Sequence, residues 1–137
     1  MFKQEVTWAE VDGLASLISR QIVESDRNYS GLLGISGGGL ILAVLLSKKL
    51  DIPLLNTPQN RCIIVDEVAD TGKRLKKLYD NHVSTIHGGT IYTATFFERQ
   101  KSTFSPDFVG RTARYEDWII FPWDYTTHAV ENSQTII

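Results

Sequence analysis

Ile63-Ile64-Val65-Asp66-Glu67-Val68-Ala69-Asp70-Thr71-Gly72 decides how the rest of the chain is read. An apolar run that suits a buried strand ends in two adjacent carboxylates, and a turn then carries Asp70, Thr71 and Gly72 into a helix. Paired carboxylates accept hydrogen bonds from neighbouring ribose hydroxyls and help to hold a divalent metal. The turn offers backbone N–H groups and a hydroxyl at a helix start, where the dipole favours a phosphate. Asp66, Glu67, Asp70, Thr71 and Gly72 are therefore candidates for a ribose-phosphate site. The plainer alternative is a buried strand with a polar exit and a helix cap.

Working outward, Thr7-Trp8-Ala9-Glu10 has the pattern of a capping box, and Val11, Leu14, Ile18 and Ile22 follow at helical spacing. A first helix is expected from Trp8 to Val23. Gly31 to Ile35 reads as a short buried strand and Leu40 to Leu50 as a second helix. Leu54-Leu55 start a second strand, Arg61 to Val65 form a third, and Lys73 to Tyr79 a third helix. Ile91 to Phe97 and Trp118 to Phe121 read as the last two strands. Strands separated by helices imply a single α/β domain, residues 1–137, with a central parallel sheet flanked by helices. Gln100 to Asp117, polar and irregular, resists assignment.

The totals are those of an ordinary soluble protein: 137 residues, 42% hydrophobic and 22% charged. A net charge of −2 argues against a chain built to coat nucleic acid. Cys62, the single cysteine, makes no internal disulfide, and packing is its expected role. Met1 to Glu5 has no apolar run behind it that would serve as a signal peptide, and Leu40 to Leu46 is too short to cross a membrane. A cytoplasmic protein without membrane partners is expected. His82, His87 and His128 show no metal-ligand spacing, so surface or core roles are expected for all three.

Ser36-Gly37-Gly38-Gly39 lies between a strand and a helix, where glycines let backbone amides approach an anion such as pyrophosphate. Plain steric need is the other explanation. Lys73, Arg74, Lys76 and Lys77 cluster at the start of the third helix. The first two fall beside the phosphate turn, and the last two read as solvated surface.

The Asp66–Gly72 segment resembles the phosphoribosyl pyrophosphate (PRPP) motif of type I phosphoribosyltransferases. Gly34 to Ile41 is similar to the pyrophosphate loop of the purine enzymes, with Gly37 where many have an Arg. Trp118-Ile119-Ile120-Phe121-Pro122-Trp123-Asp124 resembles the closing motif of the bacterial xanthine-guanine type: Trp, apolar, two variable residues, Pro-Trp-Asp. The resemblance implies transfer of a phosphoribosyl group from PRPP to a 6-oxopurine. It implies that Trp118 stacks on the purine, that the Ile119 backbone reads its exocyclic group, and that Arg99 or Lys101 donates to the purine oxygen. It further implies that Asp70 faces the purine imidazole nitrogen, that Asp66 and Glu67 hold the ribose, and that Ser36 to Gly39 and Thr71 to Arg74 hold phosphates. Mg²⁺ near Glu67 and Asp124 and a homo-oligomer, dimer or tetramer, are implied as well. The family's long loop between the second and third strands is reduced here to Asn56–Asn60. That shortening leaves a second expectation open, a PRPP- or nucleotide-binding module with little catalysis. A transferase for a different base is a third.

Overall fold

The computed structural model describes residues 2–114 and 116–124; His128 lies outside them. Four strands, β2 (Leu32–Gly34), β3 (Ile63–Ala69), β4 (Tyr92–Arg99) and β5 (Phe108–Ala113), form a parallel sheet in the order β2-β3-β4-β5. Helices α1 (Trp8–Glu24) and α2 (Ser36–Leu50) share one apolar cluster with Ile63, Val65, Ala94 and Phe96. Helix α3 (Lys73–Thr85) lies over the opposite face, where Tyr79 and Val83 pack on Cys62, Ile64 and Ile91. The alternation of Ile63 and Val65 with Cys62 and Ile64 sends successive β3 side chains into different clusters, as a strand covered on both faces requires.

The α1 start follows from its sequence. Thr7 Oγ1 accepts from the Glu10 N–H at 3.1 Å while Glu10 Oε1 accepts from the Thr7 N–H, a closed capping box. Val11, Leu14, Ile18 and Ile22 form its buried face as expected.

Several expectations are corrected. Leu54 makes an isolated bridge to Leu32 rather than a strand. Pairing of β3 with β4 continues to Ala69 and Glu98, so Asp66 and Glu67 lie inside a strand and not beyond its end. Ser36 to Gly39 are the first turn of α2, not a loop before it. The unassigned stretch contains β5, an edge strand whose polar outer residues Arg111 and Thr112 hide the apolar pattern. Strand β6 (Trp118–Ile120) is not a fifth strand of the main sheet. It pairs in parallel with β1 (Lys3–Glu5), a polar segment with no strand signal of its own.

Cys62 is fully buried, and burial pushes its thiol up, as suits a packing residue. No helix among the described residues is long and apolar enough to cross a membrane.

Candidate active site

The C-terminal end of β3 opens into a cleft of about 400 Å³ lined by Ser36, by residues 66 to 72, and by Arg74 and Leu75. Crevices at the carboxyl ends of parallel strands are where such sheets bind ligands, because helix N-termini converge there.

The two acids are neighbours in sequence but meet different elements. Asp66 is buried, and its Oδ1 accepts from Ser36 Oγ at 3.2 Å and from the Glu67 N–H at 2.8 Å. Its Oδ2 lies 3.9 Å from Arg74 Nε on α3. The Glu67 carboxylate covers Gly38 in the first turn of α2, where a Cβ would overlap it. Burial pushes the Glu67 carboxyl above its ordinary range and the nearby Asp124 charge adds to this; the Trp123 indole opposes it. Among the described residues the buried Trp123 Nε1 has no hydrogen-bond partner, so its pull on Glu67 is that of a nearby dipole.

Gly38 and Gly39 are therefore explained by close packing of α2 on β3: a Cβ at Gly39 would strike the Val65 carbonyl and lie 3.1 Å from Asp66 Cα. Gly37 has no such neighbour and is exposed. Of these four residues Ser36 lines the cleft.

Asp70, Thr71 and Gly72 lead into α3. Gly72 has φ 87°, and a Cβ there would sit 2.5 Å from the Phe104 backbone nitrogen. Thr71 Oγ1 accepts from the Lys73 N–H at 3.2 Å, and the Thr71 carbonyl accepts from the Thr103 N–H at 2.9 Å and hydroxyl at 3.0 Å. The β4–β5 crossover thus braces the turn, a role with no sequence signal because it joins residues some thirty positions apart. Arg74 lines the cleft, whereas Lys73 opens onto an adjoining hollow with Lys76, Lys77 and Thr103.

The expected base-binding residues stand outside this lining. Trp118 is 44% exposed, with the Lys3 ammonium 5.2 Å from its ring centroid. The pairing of β6 with β1 engages Trp118 and Ile120, so the Ile119 N–H and C=O turn away from β1. Lys101 is exposed in the turn after β4. Arg99, expected to read a base oxygen, has other partners: its Nε lies 2.8 Å from Asp70 Oδ1, and its Nη1 donates to the Asp117 carbonyl at 2.6 Å.

Trp123 packs with Phe121, their rings stacked at 4.7 Å, and with Phe96 and Trp8. Asp124 Oδ2 accepts from the Phe121 N–H at 2.7 Å, which fixes the carboxylate near Glu67. Among the described residues no three His, Cys, Asp or Glu side chains gather as a metal cage.

The short Asn56–Asn60 segment stays at the other end of the sheet. Asn60 Oδ1 accepts from the Thr90 N–H at 2.8 Å, and the Arg61 N–H donates to the Thr90 carbonyl at 2.6 Å, just before β4 begins. It does not reach the cleft.

Comparison with known proteins shows the family and the fold. The xanthine-guanine phosphoribosyltransferase of Nitratidesulfovibrio vulgaris is 28% identical over 87% of this chain and 83% of its own length. A purine phosphoribosyltransferase from Pyrococcus horikoshii superposes with a TM-score of 0.76 at 28% identity, over 90% of this chain and 95% of that one. The fold is shared with the Helicobacter pylori xanthine-guanine-hypoxanthine phosphoribosyltransferase, TM-score 0.81 at 17% identity, over 95% of this chain and 97% of that one. Residues 54–129, more than half of the chain and including the whole of β3 and its turn, match the phosphoribosyl transferase domain. The chain belongs to the phosphoribosyl transferase domain family.

Proposed function

We propose that this chain, as one domain, transfers a phosphoribosyl group from PRPP to a 6-oxopurine and releases pyrophosphate. The observation that carries the reading is the cleft at the end of β3, where Asp66, Glu67, Asp70, Thr71 and Arg74 converge beside the N-terminus of α3. Asp66 and Glu67 take the ribose hydroxyls and set a negative field where positive charge grows on the anomeric carbon. The turn from Thr71 to Arg74 holds the 5′-phosphate through N–H groups, a hydroxyl and a guanidinium, fixing the sugar for in-line attack. Ser36 and the exposed amide at Gly37 are offered to pyrophosphate. Asp70 accepts the proton of the purine imidazole nitrogen.

Trp118 supplies the stacking face and the outward-turned Ile119 backbone reads the exocyclic group. Lys101, exposed in the turn after β4, is the proposed donor to the purine oxygen.

Mg²⁺ fits this donor set. Glu67 and Asp124 offer two carboxylates whose mutual repulsion a cation relieves, and the remaining ligands suit phosphate oxygens and water. Its contribution when bound is neutralisation of charge on the departing pyrophosphate. A cytoplasmic setting is part of the same reading. Self-association, as dimer or tetramer, is supported by the apolar hollow formed by Leu40, Ile41, Val44 and Leu45 on the outer side of α2.

One observation favours the second reading, a nucleotide-binding module: the Asn56–Asn60 segment lies away from the cleft and closes nothing over it. Pyrophosphate release from PRPP and Mg²⁺ with guanine, xanthine, hypoxanthine and adenine in parallel decides between them. Release dependent on one oxo-purine is the expected result. Binding of PRPP without release from any base transfers the assignment to the module, and release with adenine alone to a different base class.

A further inference from the structure

Arg99 sits at the C-terminal end of β4 with its side chain only 14% exposed. Nε is 2.8 Å from Asp70 Oδ1, and Nη1 donates to the carbonyls of Asp117 at 2.6 Å and Arg114 at 3.1 Å. These acceptors belong to the two ends of the candidate site. Asp70 opens the phosphate turn after β3. Asp117 immediately precedes Trp118, the first residue of β6.

Among the described residues the two ends share no ladder of hydrogen bonds. Strand β3 is central in the main sheet, whereas β6 belongs to a separate two-stranded sheet. A phosphoribosyl group held at one end and a base held at the other meet only if their separation is fixed. A guanidinium is well suited to fixing it, being planar, permanently charged, and able to direct several N–H groups at set angles. On the far side, buried Asp117 is itself held, since its Oδ2 accepts from Gln4 Nε2 at 2.7 Å and lies 3.3 Å from Arg114 Nε. The hydrogen bond from Gln4 keeps this carboxyl below its ordinary range, with Arg114 adding to it against the effect of burial.

We propose that Arg99 is a positioning residue, a strut that keeps the Asp70 turn and the start of β6 in register so that base and anomeric carbon meet at attack distance. It acts through Asp70 and two carbonyls. The proposal rests on the transferase reading. It accounts for an arginine only 14% exposed at a place where a donor to the base is expected.

The test compares wild type, Arg99→Met and Arg99→Lys in three measurements: PRPP affinity and GMP affinity by calorimetry, and steady-state pyrophosphate release with guanine. GMP spans both ends of the site, whereas PRPP alone occupies one. Arg99→Met is expected to keep PRPP affinity within about twofold while guanine KM rises and kcat falls by about tenfold or more, the scale of a small misplacement of reacting groups. GMP affinity should fall with guanine KM. Arg99→Lys keeps a charge for Asp70 without the fork to both carbonyls and should fall between.

A folded Arg99→Met enzyme with kcat and guanine KM within twofold of wild type overturns the strut. Loss of PRPP and GMP affinity by one common factor overturns it too, since that is general damage. If Arg99→Met shows no melting transition, Arg99→Lys is judged by the same criteria. Absence of release in wild type with guanine, xanthine and hypoxanthine alike overturns the transferase reading instead, and the ratio of GMP to PRPP affinity across the variants still decides the strut.

Discussion

The two ends of the candidate site are built on different principles. The end proposed for the phosphoribosyl group grows from the middle of the sheet. Asp66 is almost fully buried, Gly38 and Gly39 press α2 against β3, and the crossover braces Thr71 and Gly72. The end proposed for the base hangs at the margin. Strand β6 has three residues, pairs with a polar β1, and leaves Trp118 half exposed. An end set in a packed core is preorganised and tolerates little change, because packed interiors transmit strain. A marginal end is held by a few polar ties, among them the proposed Arg99 strut, and should tolerate substitution at the cost of base affinity.

The sharpest way to probe the contrast is Asp70→Asn, which sits where the two ends meet. Turnover should fall by about 10²-fold or more, the range of a lost general base, with nucleotide affinity largely kept. Stopped-time pyrophosphate assays and calorimetry read the two separately, and unchanged turnover removes Asp70 from the chemistry. Gly39→Ala attacks the rigid end. The added methyl has the Val65 carbonyl against it, and overpacking should cost about 1–3 kcal/mol in urea denaturation, with PRPP binding lost in step. A neutral result would mean that α2 is free to slide on β3.

Trp118→Ala attacks the marginal end. Loss of a stacked base costs about 1–3 kcal/mol, so guanine KM should rise roughly tenfold while PRPP affinity and the melting temperature stay put. Weakened PRPP binding with an unchanged guanine KM would reverse the assignment of the two ends.

The smallest effect concerns Glu67. Its carboxyl is raised in the fold, first by burial and then by Asp124, so the native state holds the proton more tightly than the unfolded chain. Stability from this group therefore falls as pH rises from the ordinary carboxyl range through the raised folded value. Glu67→Gln should raise the urea midpoint at about pH 7 and be neutral at about pH 4. Added Mg²⁺ should narrow the difference at the higher pH, since a cation favours the ionised form. A variant less stable than wild type at neutral pH would show that the charge is compensated within the protein.

Much of the architecture was legible because its signals are local. The Thr7–Glu10 capping box and the apolar spacing of α1 each depend on neighbours a few residues away. Strand β3 and the turn into α3 were legible for the same reason, since buried apolar residues, acids and a glycine with positive φ follow one another in order. What stayed hidden depends on distant partners. Strand β5 looks irregular because one edge faces water, and β1 has no strand pattern because its order comes from β6, more than a hundred residues away.

The glycines of the Ser36–Gly39 turn show the same division. Their presence announces close approach, but two of them answer to β3 and Glu67 rather than to an anion, and only packing distinguishes these needs. Arg99 carries a charge that sequence can place near a base, yet its partners include a carboxylate at the end of the neighbouring strand and two carbonyls of a later loop. The order of residues was enough to set the class of chemistry, because acids, hydroxyl and glycine must follow one another closely to clamp a ribose phosphate. Which side chains face the cleft, and which hold its two ends together, was settled only on folding, because hydrogen-bond partners are chosen by proximity in space.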